Sequence, residues 1–417
     1  MMTVEMFFDY SCPYAYLAST RIEALCGRNN AHLVWRPMLL GAILNELGTS
    51  TYPLLATATE RDVRKALHNR EDVARFAELW GVPLNWPEAH PIRTVTALRA
   101  TLVLPAEERA VAIHALYRAY WVDGRDVSDA HVVAAVLTEV GLPGRQIVDS
   151  IGAEVKDALR HNTEQALERG VFGAPTFFVG GEMFWGQDRM WMVEQALDGT
   201  FEFPGEGRFK SDGPAPDVEF WFDFSSPFGY LASTRVEALC RRYGATLHLR
   251  PLFLGGLFRK LEGPMVPLAT FPPAKQRYYA ADLERWARHW GVDYQFPTGF
   301  PMNTIKALRI ALGLGDGMAP FVHRVFRAFW VEDLNINDDD VLAQLLKEVG
   351  QAPERVAVAS DPLFKQRLIE ATDEAYERGI FGVPTFMVGG NLVWGQDRLF
   401  MVERMLQGWD PRARPGA

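Results

Sequence analysis

Short apolar runs, helical patterns and turn residues follow one another along this chain in an order that occurs twice. Val4–Phe8 and Val218–Phe222 are apolar and aromatic runs that predict buried strands. Each is followed by a Ser/Cys–Pro step and then by a helical pattern, as in Tyr16–Leu25. A proline just inside a helix start suits that helix, because its missing N–H would have no partner there. Leu33–Arg36 and Leu247–Arg250 predict a second strand. A long helical middle comes next: 60–80, 94–102, 107–121, 129–140 and 153–169 in the first copy. Pro175–Val179, Gly180-Gly181 and Glu182–Trp185 predict a β-hairpin, and 188–197 a closing helix.

The repetition is literal. FDYSCPYAYLASTRIEALC (8–26) and FDFSSPFGYLASTRVEALC (222–240) agree at 14 of 19 positions. GVFGAPTFFVGGEMFWGQDRMWMVEQAL (170–197) and GIFGVPTFMVGGNLVWGQDRLFMVERML (379–406) agree at 18 of 28. A repeat of this length is a whole domain rather than a solenoid turn. The predicted division is a domain over 1–202, a Gly/Pro-rich linker over 203–216 and a domain over 217–409. Strand–helix–strand, a helical insertion, then hairpin–helix is an α/β thioredoxin plan, here in tandem.

Composition narrows the function classes. The chain has 417 residues, 48% hydrophobic and 23% charged, with 43 basic against 52 acidic side chains and a net charge of −9. That balance offers nothing to a nucleic acid or an anionic membrane. No apolar run reaches the roughly 20 residues of a membrane span. No signal peptide is apparent at the N-terminus, so a cytoplasmic location is expected. Three cysteines, Cys12, Cys26 and Cys240, argue for reduced thiols rather than a disulfide framework. Cys26 and Cys240 occupy matching helix positions and are expected to be small buried hydrophobes. His114 and His323 also match, and are expected to be packed helix residues. No metal-ligand spacing surrounds them, and no metal is expected.

Three motifs carry chemistry. Ser11-Cys12-Pro13 and Ser225-Ser226-Pro227 put a nucleophile-type side chain at a helix N-terminus, where amides and the helix dipole favour an anion. Cys12 could be that anion; Ser226 could only donate to a thiolate supplied from outside, or act as an ordinary N-cap. Ala174-Pro175 and Val383-Pro384 open a strand, which suits a cis bond or a sheet edge. A cis bond there would leave the preceding backbone open to an extended peptide. Asp188 and Asp397, in Trp-Gly-Gln-Asp-Arg, read as N-caps or as carboxylates for a ligand ammonium.

In combination, these motifs resemble the 2-hydroxychromene-2-carboxylate isomerases and the related kappa-class glutathione transferases, in the DsbA-like branch of the thioredoxin fold. The resemblance covers both copies nearly end to end. It implies glutathione as cofactor, with Ser226, or Cys12 in the first copy, supporting the thiolate. It implies Val383 and Pro384, with Ala174 and Pro175, against the glutathione backbone, and Asp397 and Asp188 at the γ-glutamyl end. Lys275, in Pro-Ala-Lys-Gln-Arg-Tyr, matches a glutathione-contacting lysine of the family, and Lys65 aligns with it. Asn303 matches a residue near the substrate pocket, where the first copy has Arg93. The second copy is the more orthodox one.

The activity implied is glutathione-dependent isomerisation of a small aromatic or conjugated carboxylate by reversible thiolate addition. A conjugating transferase, a monothiol oxidoreductase centred on Cys12, and a tandem module that turns nothing over are the alternatives. Ala15 stands where a C-x-x-C motif would have its second cysteine, so Cys12 has no local resolving partner. Relatives being dimers, the two copies are expected to act as an intramolecular pseudo-dimer.

Overall fold

A computed structural model of the chain describes residues 1–49, 58–203, 205–210 and 213–413. Part of the predicted linker, at 204, 211 and 212, and the last four residues lie outside that description.

Each copy builds a four-stranded mixed sheet. In the first, β1 (Thr3–Phe8), β2 (His32–Pro37), β3 (Thr176–Val179) and β4 (Glu182–Trp185) lie in the order β2-β1-β3-β4. In the second, β5 (Val218–Phe222), β6 (Leu247–Pro251), β7 (Thr385–Val388) and β8 (Asn391–Trp394) repeat it as β6-β5-β7-β8. The first two strands of each sheet are parallel and the rest antiparallel. The parallel pair needs a crossover, supplied by the helices Pro13–Arg28 and Pro227–Tyr243.

The central strands are apolar on both faces because helices cover them. Phe7 and Phe8, and likewise Trp221 and Phe222, are neighbours on opposite faces and fully buried. The inserted helices are pinned to the strand ends by buried indoles. Trp121 Nε1 donates to Tyr10 O and Trp330 Nε1 to Phe224 O, both at 2.8 Å. The helices predicted in the middle are present, with ends shifted by one or two residues. Two short ones, Leu40–Glu46 and Gly144–Asp149, carry too little pattern to have been predicted.

The chain groups into two compact units. One is Met1–Thr57, Asn69–Pro204 and Pro272–Lys275; the other is Ala58–His68, Gly205–Phe271 and Gln276–Ala417. Each unit therefore contains a short piece of the other copy's sequence. Among the described residues, no helix is long and apolar enough to cross a membrane.

Candidate functional site

The site in the second copy starts from the turn that ends β5. Asp223, 1% exposed, accepts from Ser225 N at 2.9 Å, Thr304 Oγ1 at 2.7 Å and Leu254 N at 2.8 Å. Its own carbonyl accepts from Ser226 N at 3.1 Å. One carboxylate thus fixes the Ser-Ser-Pro turn to two other segments. Burial raises the Asp223 pKa, partly offset by those hydrogen bonds. Asp9 makes the matching hydrogen bonds in the first copy, accepting from Ser11 N, Thr94 Oγ1 and Leu40 N at 3.0, 2.5 and 2.9 Å. Neither aspartate was singled out from sequence. The available signal was a carboxylate directly after the buried pair Phe7-Phe8 or Trp221-Phe222 that ends the strand.

That turn aims Ser226 at the strand-opening proline. Ser226 Oγ accepts from Gly229 N at 3.0 Å and donates to Val383 O at 3.2 Å. The Val383–Pro384 and Ala174–Pro175 bonds are both cis. The capping role is present, and the hydroxyl proton goes to the carbonyl that precedes the cis-proline. Val383 belongs to a core with Trp221, Leu252, Leu257 and Phe381, so the loop rests on a packed base.

The first copy keeps this geometry but changes its chemistry. Cys12 Sγ donates to Ala174 O at 3.1 Å and makes no cap hydrogen bond. Burial pushes the Cys12 thiol up to about 12, outweighing the nearby backbone N–H groups of Ala15 and Tyr14, which pull it down. This runs against the thiolate that a helix N-terminus was expected to favour there: desolvation is the larger effect.

The Trp-Gly-Gln-Asp-Arg segments lie alongside. Asp188 and Asp397 are not N-caps. Each sits inside a short 3₁₀ turn, Gln187–Arg189 or Gln396–Arg398, with its Oδ2 3.1 Å from the guanidinium of the next arginine. The glycine before each turn is required. Gly186 and Gly395 have φ of 102° and 106°, and a Cβ there would meet the aspartate Oδ1 at 2.4 Å. The tryptophan ring folds back over the proline loop, so that a Cβ on Gly173 would meet Trp185 Nε1 at 2.4 Å.

The lysines are placed differently from expectation. Lys275 was matched to Ser226 and Lys65 to Cys12. Instead Lys65 belongs to the compact unit of Ser226, with Nζ 5.6 Å from the Trp394 ring centre. Three residues on, His68 Nε2 accepts from Trp394 N at 3.3 Å, and its ring packs edge-on against Phe381. Lys275 belongs to the unit of Cys12, 5.5 Å from the Trp185 ring and 5.7 Å from that of Phe172. Burial there pulls the Lys275 ammonium down to about 8. The physical reason is helix placement: the segments 58–68 and 272–275 each pack with the sheet of the opposite copy.

Asn303 and Arg93 are both exposed. Asn303 Oδ1 accepts from Ile305 N at 3.0 Å, and its neighbour Thr304 is the one bonded to Asp223. His114 and His323 are half-buried helix residues, with side chains 39% and 38% exposed, paired with Glu23 and Glu237. Cys26 and Cys240 are buried.

Comparison with known proteins agrees with this architecture. The model of the DSBA-like thioredoxin domain matches twice, over residues 3–198 and 217–407. A 2-hydroxychromene-2-carboxylate isomerase of Pseudomonas putida is 33% identical over 189 residues, 45% of this chain and 92% of that protein. Glutathione S-transferase kappa 2 of Caenorhabditis elegans is 27% identical over 206 residues, 45% of this chain and 91% of that one. A solved 2-hydroxychromene-2-carboxylate isomerase structure is 25% identical, covering 47% of this chain and 95% of its own, with a TM-score of 0.42. With both copies matched along their length, the chain belongs to the DSBA-like thioredoxin family, as a tandem of two such domains in the branch of the 2-hydroxychromene-2-carboxylate isomerases and kappa glutathione transferases.

Proposed function

We propose that the Ser226 site makes this chain a glutathione-dependent isomerase of an aromatic or conjugated carboxylate. The observation that carries the reading is the pair of hydrogen bonds at Ser226 Oγ. Glutathione supplies a thiolate able to add reversibly to a conjugated carbon and leave again. Ser226 holds it in that state. Its hydroxyl can turn from Val383 O toward a sulfur anion while Gly229 N–H keeps hold of the oxygen. The amides of the first helical turn add their partial positive charge. Nothing in this step consumes the thiol, as an isomerase requires.

The residues around Ser226 fit the remaining groups of a tripeptide thiol. The backbone before Pro384 lies against Ser226 and offers Val383 as a strand partner. Asp397 is the carboxylate for an ammonium, paired with Arg398 and given room by the missing side chain of Gly395. Lys65 is the cation for a carboxylate in this site, in place of Lys275. Asn303 stands beside Thr304 on the same Asp223 anchor as the Ser226 turn, which suits a contact with substrate. The first copy, with Ala174, Pro175, Asp188 and Lys275 around Cys12, has the same frame without the hydroxyl. Its S–H is a weaker donor than a hydroxyl, and so a weaker support for a sulfur anion.

The test is a full-chain assay with glutathione and a 2-hydroxychromene-2-carboxylate, the substrate named in its relatives. Isomer should form with glutathione unchanged. Accumulation of a glutathione conjugate instead would make the chain a transferase. Ser226→Ala should lower kcat about 10²-fold, the usual cost of removing one preorganised anion donor. An unchanged rate in that variant would remove Ser226 from the mechanism.

A further inference from the structure

The two copies differ most usefully at one buried position. Met6 pairs with Trp35 across β1 and β2, and Phe220 pairs with Leu249 across β5 and β6. Trp35 and Leu249 therefore hold the same place in equivalent sheets. The Trp35 indole is 6% exposed. It meets Phe8 edge-on at 5.7 Å and His114 edge-on at 6.1 Å. His114 in turn binds Glu23.

In the second copy the histidine and the glutamate remain, with His323 Nε2 2.8 Å from Glu237 Oε2, but the indole is gone. The neighbouring helix start is also reduced. The 3₁₀ turn Ala106–Glu108 becomes Gly315–Gly317, and Arg109, whose Nε donates to Leu104 O at 3.0 Å, becomes Met318. Together these changes accompany a cavity of 470 Å³. That is within the range of small-molecule sites. Leu249, Val236, Val322 and Met318 give it an apolar lining. Glu237, His323 and Asp316 give it a polar one.

We infer that this cavity is a second ligand site, for a flat aromatic molecule of about indole size carrying an N–H donor or an amine. The first copy shows what fits: an aromatic ring set edge-on to the histidine. The Met318 thioether is a suitable contact for such a ring. The charge of the lining selects the polar group. Arg250 also lines the cavity, but it is committed to Glu374, with Glu219 4.0 Å away. His248 lines it too and is paired with Asp217, while Glu237 is paired with His323; the remaining charged side chain of the lining is Asp316, which favours a donor or a cation over a carboxylate. Neither Ser226 nor the residues bonded to it line the cavity, so this ligand is distinct from glutathione and from an acidic substrate.

The test uses the full chain with three probes: tryptamine, indole and benzoate, titrated by calorimetry. Tryptamine should bind saturably, indole more weakly, and benzoate not at all. Leu249→Trp and Met318→Arg each restore the first copy's residue. Each should weaken tryptamine at least about tenfold while the Ser226-dependent rate stays unchanged. Having two variants keeps the test decisive if one of them folds poorly. Absence of saturable tryptamine binding overturns the site. So does tryptamine affinity that survives in a folded filling variant. Benzoate binding as tightly as tryptamine overturns the assignment to amines.

Discussion

Lys65 holds its ammonium 5.6 Å from the centre of the Trp394 ring, although 329 residues separate them. One helical turn on, His68 accepts the backbone N–H of that same tryptophan, so this part of the helix is fastened at two points. Trp394 leads directly into Gly395-Gln396-Asp397, and Phe381, which His68 also touches, leads into the Val383–Pro384 loop. The lysine that stands against Trp394, in the compact unit of Ser226, is thus drawn from the first copy's sequence.

The matching prediction concerns which lysine serves which site. Lys65→Met should raise the KM for glutathione in the Ser226-dependent reaction about tenfold, with little change in kcat, as for a lost charge-assisted contact made in ground and transition states alike. Lys275→Met should leave that KM where it is. Steady-state kinetics of the two variants decide the matter: a larger effect from Lys275 would return the assignment to the one the motif suggested.

What was legible in the sequence was what depends on local pattern. Phe7 and Phe8 announce a strand buried on both faces, and Gly180-Gly181 announces a hairpin. The contacts of Cys12 Sγ with Ala174 O and of Ser226 Oγ with Val383 O join two motifs that the sequence displays, a Ser/Cys–Pro helix start and a proline-headed strand. The lysine pairing was not legible, because it depends on where a long helix lands, and residues within a copy carry no mark of that. Of the two readings of Asp188 and Asp397, capping fails because each lies inside a 3₁₀ turn rather than ahead of a helix, a difference their residue type does not mark. Cys12 was misjudged because the helix dipole can be read from sequence while the depth of burial cannot.

Asp223 should prove the main anchor of the site. Its carboxylate receives three donors, from Ser225, Leu254 and Thr304, and all would lose their partner in Asp223→Ala. Buried donors left unsatisfied cost about 1–3 kcal/mol each before relaxation, so a net loss of about 2–4 kcal/mol is expected in urea unfolding. Thr304→Val removes one hydrogen bond and should cost about 1 kcal/mol. A Thr304 variant as damaging as the Asp223 one would show that the anchor works through the insertion rather than through the Ser226 turn.

Lys275 gives a pH signature. Burial lowers its pKa from 10.5 to about 8. Between those values the unfolded chain keeps a proton that the folded chain has shed, so this group makes stability rise with pH across that window. Below about pH 8 it is charged in both states, and its buried charge is a standing cost. Lys275→Met should therefore be the more stable protein near pH 7, with its advantage shrinking as pH approaches about 10. Urea titrations of both proteins at the two ends of the window test this, and an advantage that grew with pH would contradict it.

The cysteines act in the opposite direction. Burial raises Cys12 and Cys26 to about 12 and Cys240 to about 11, all from an ordinary 9.0. Above about pH 9 the unfolded chain loses thiol protons that the folded chain retains, so the unfolded state binds fewer protons and stability falls as pH rises. Cys12→Ala should make that alkaline fall shallower, whatever it does to stability at neutral pH. The same burial predicts that iodoacetamide labels all three thiols slowly in the native chain near pH 8 and rapidly once urea unfolds it. Fast native labelling confined to Cys12 would show that its thiolate is accessible, and would bring the first copy back as a thiol-exchange site.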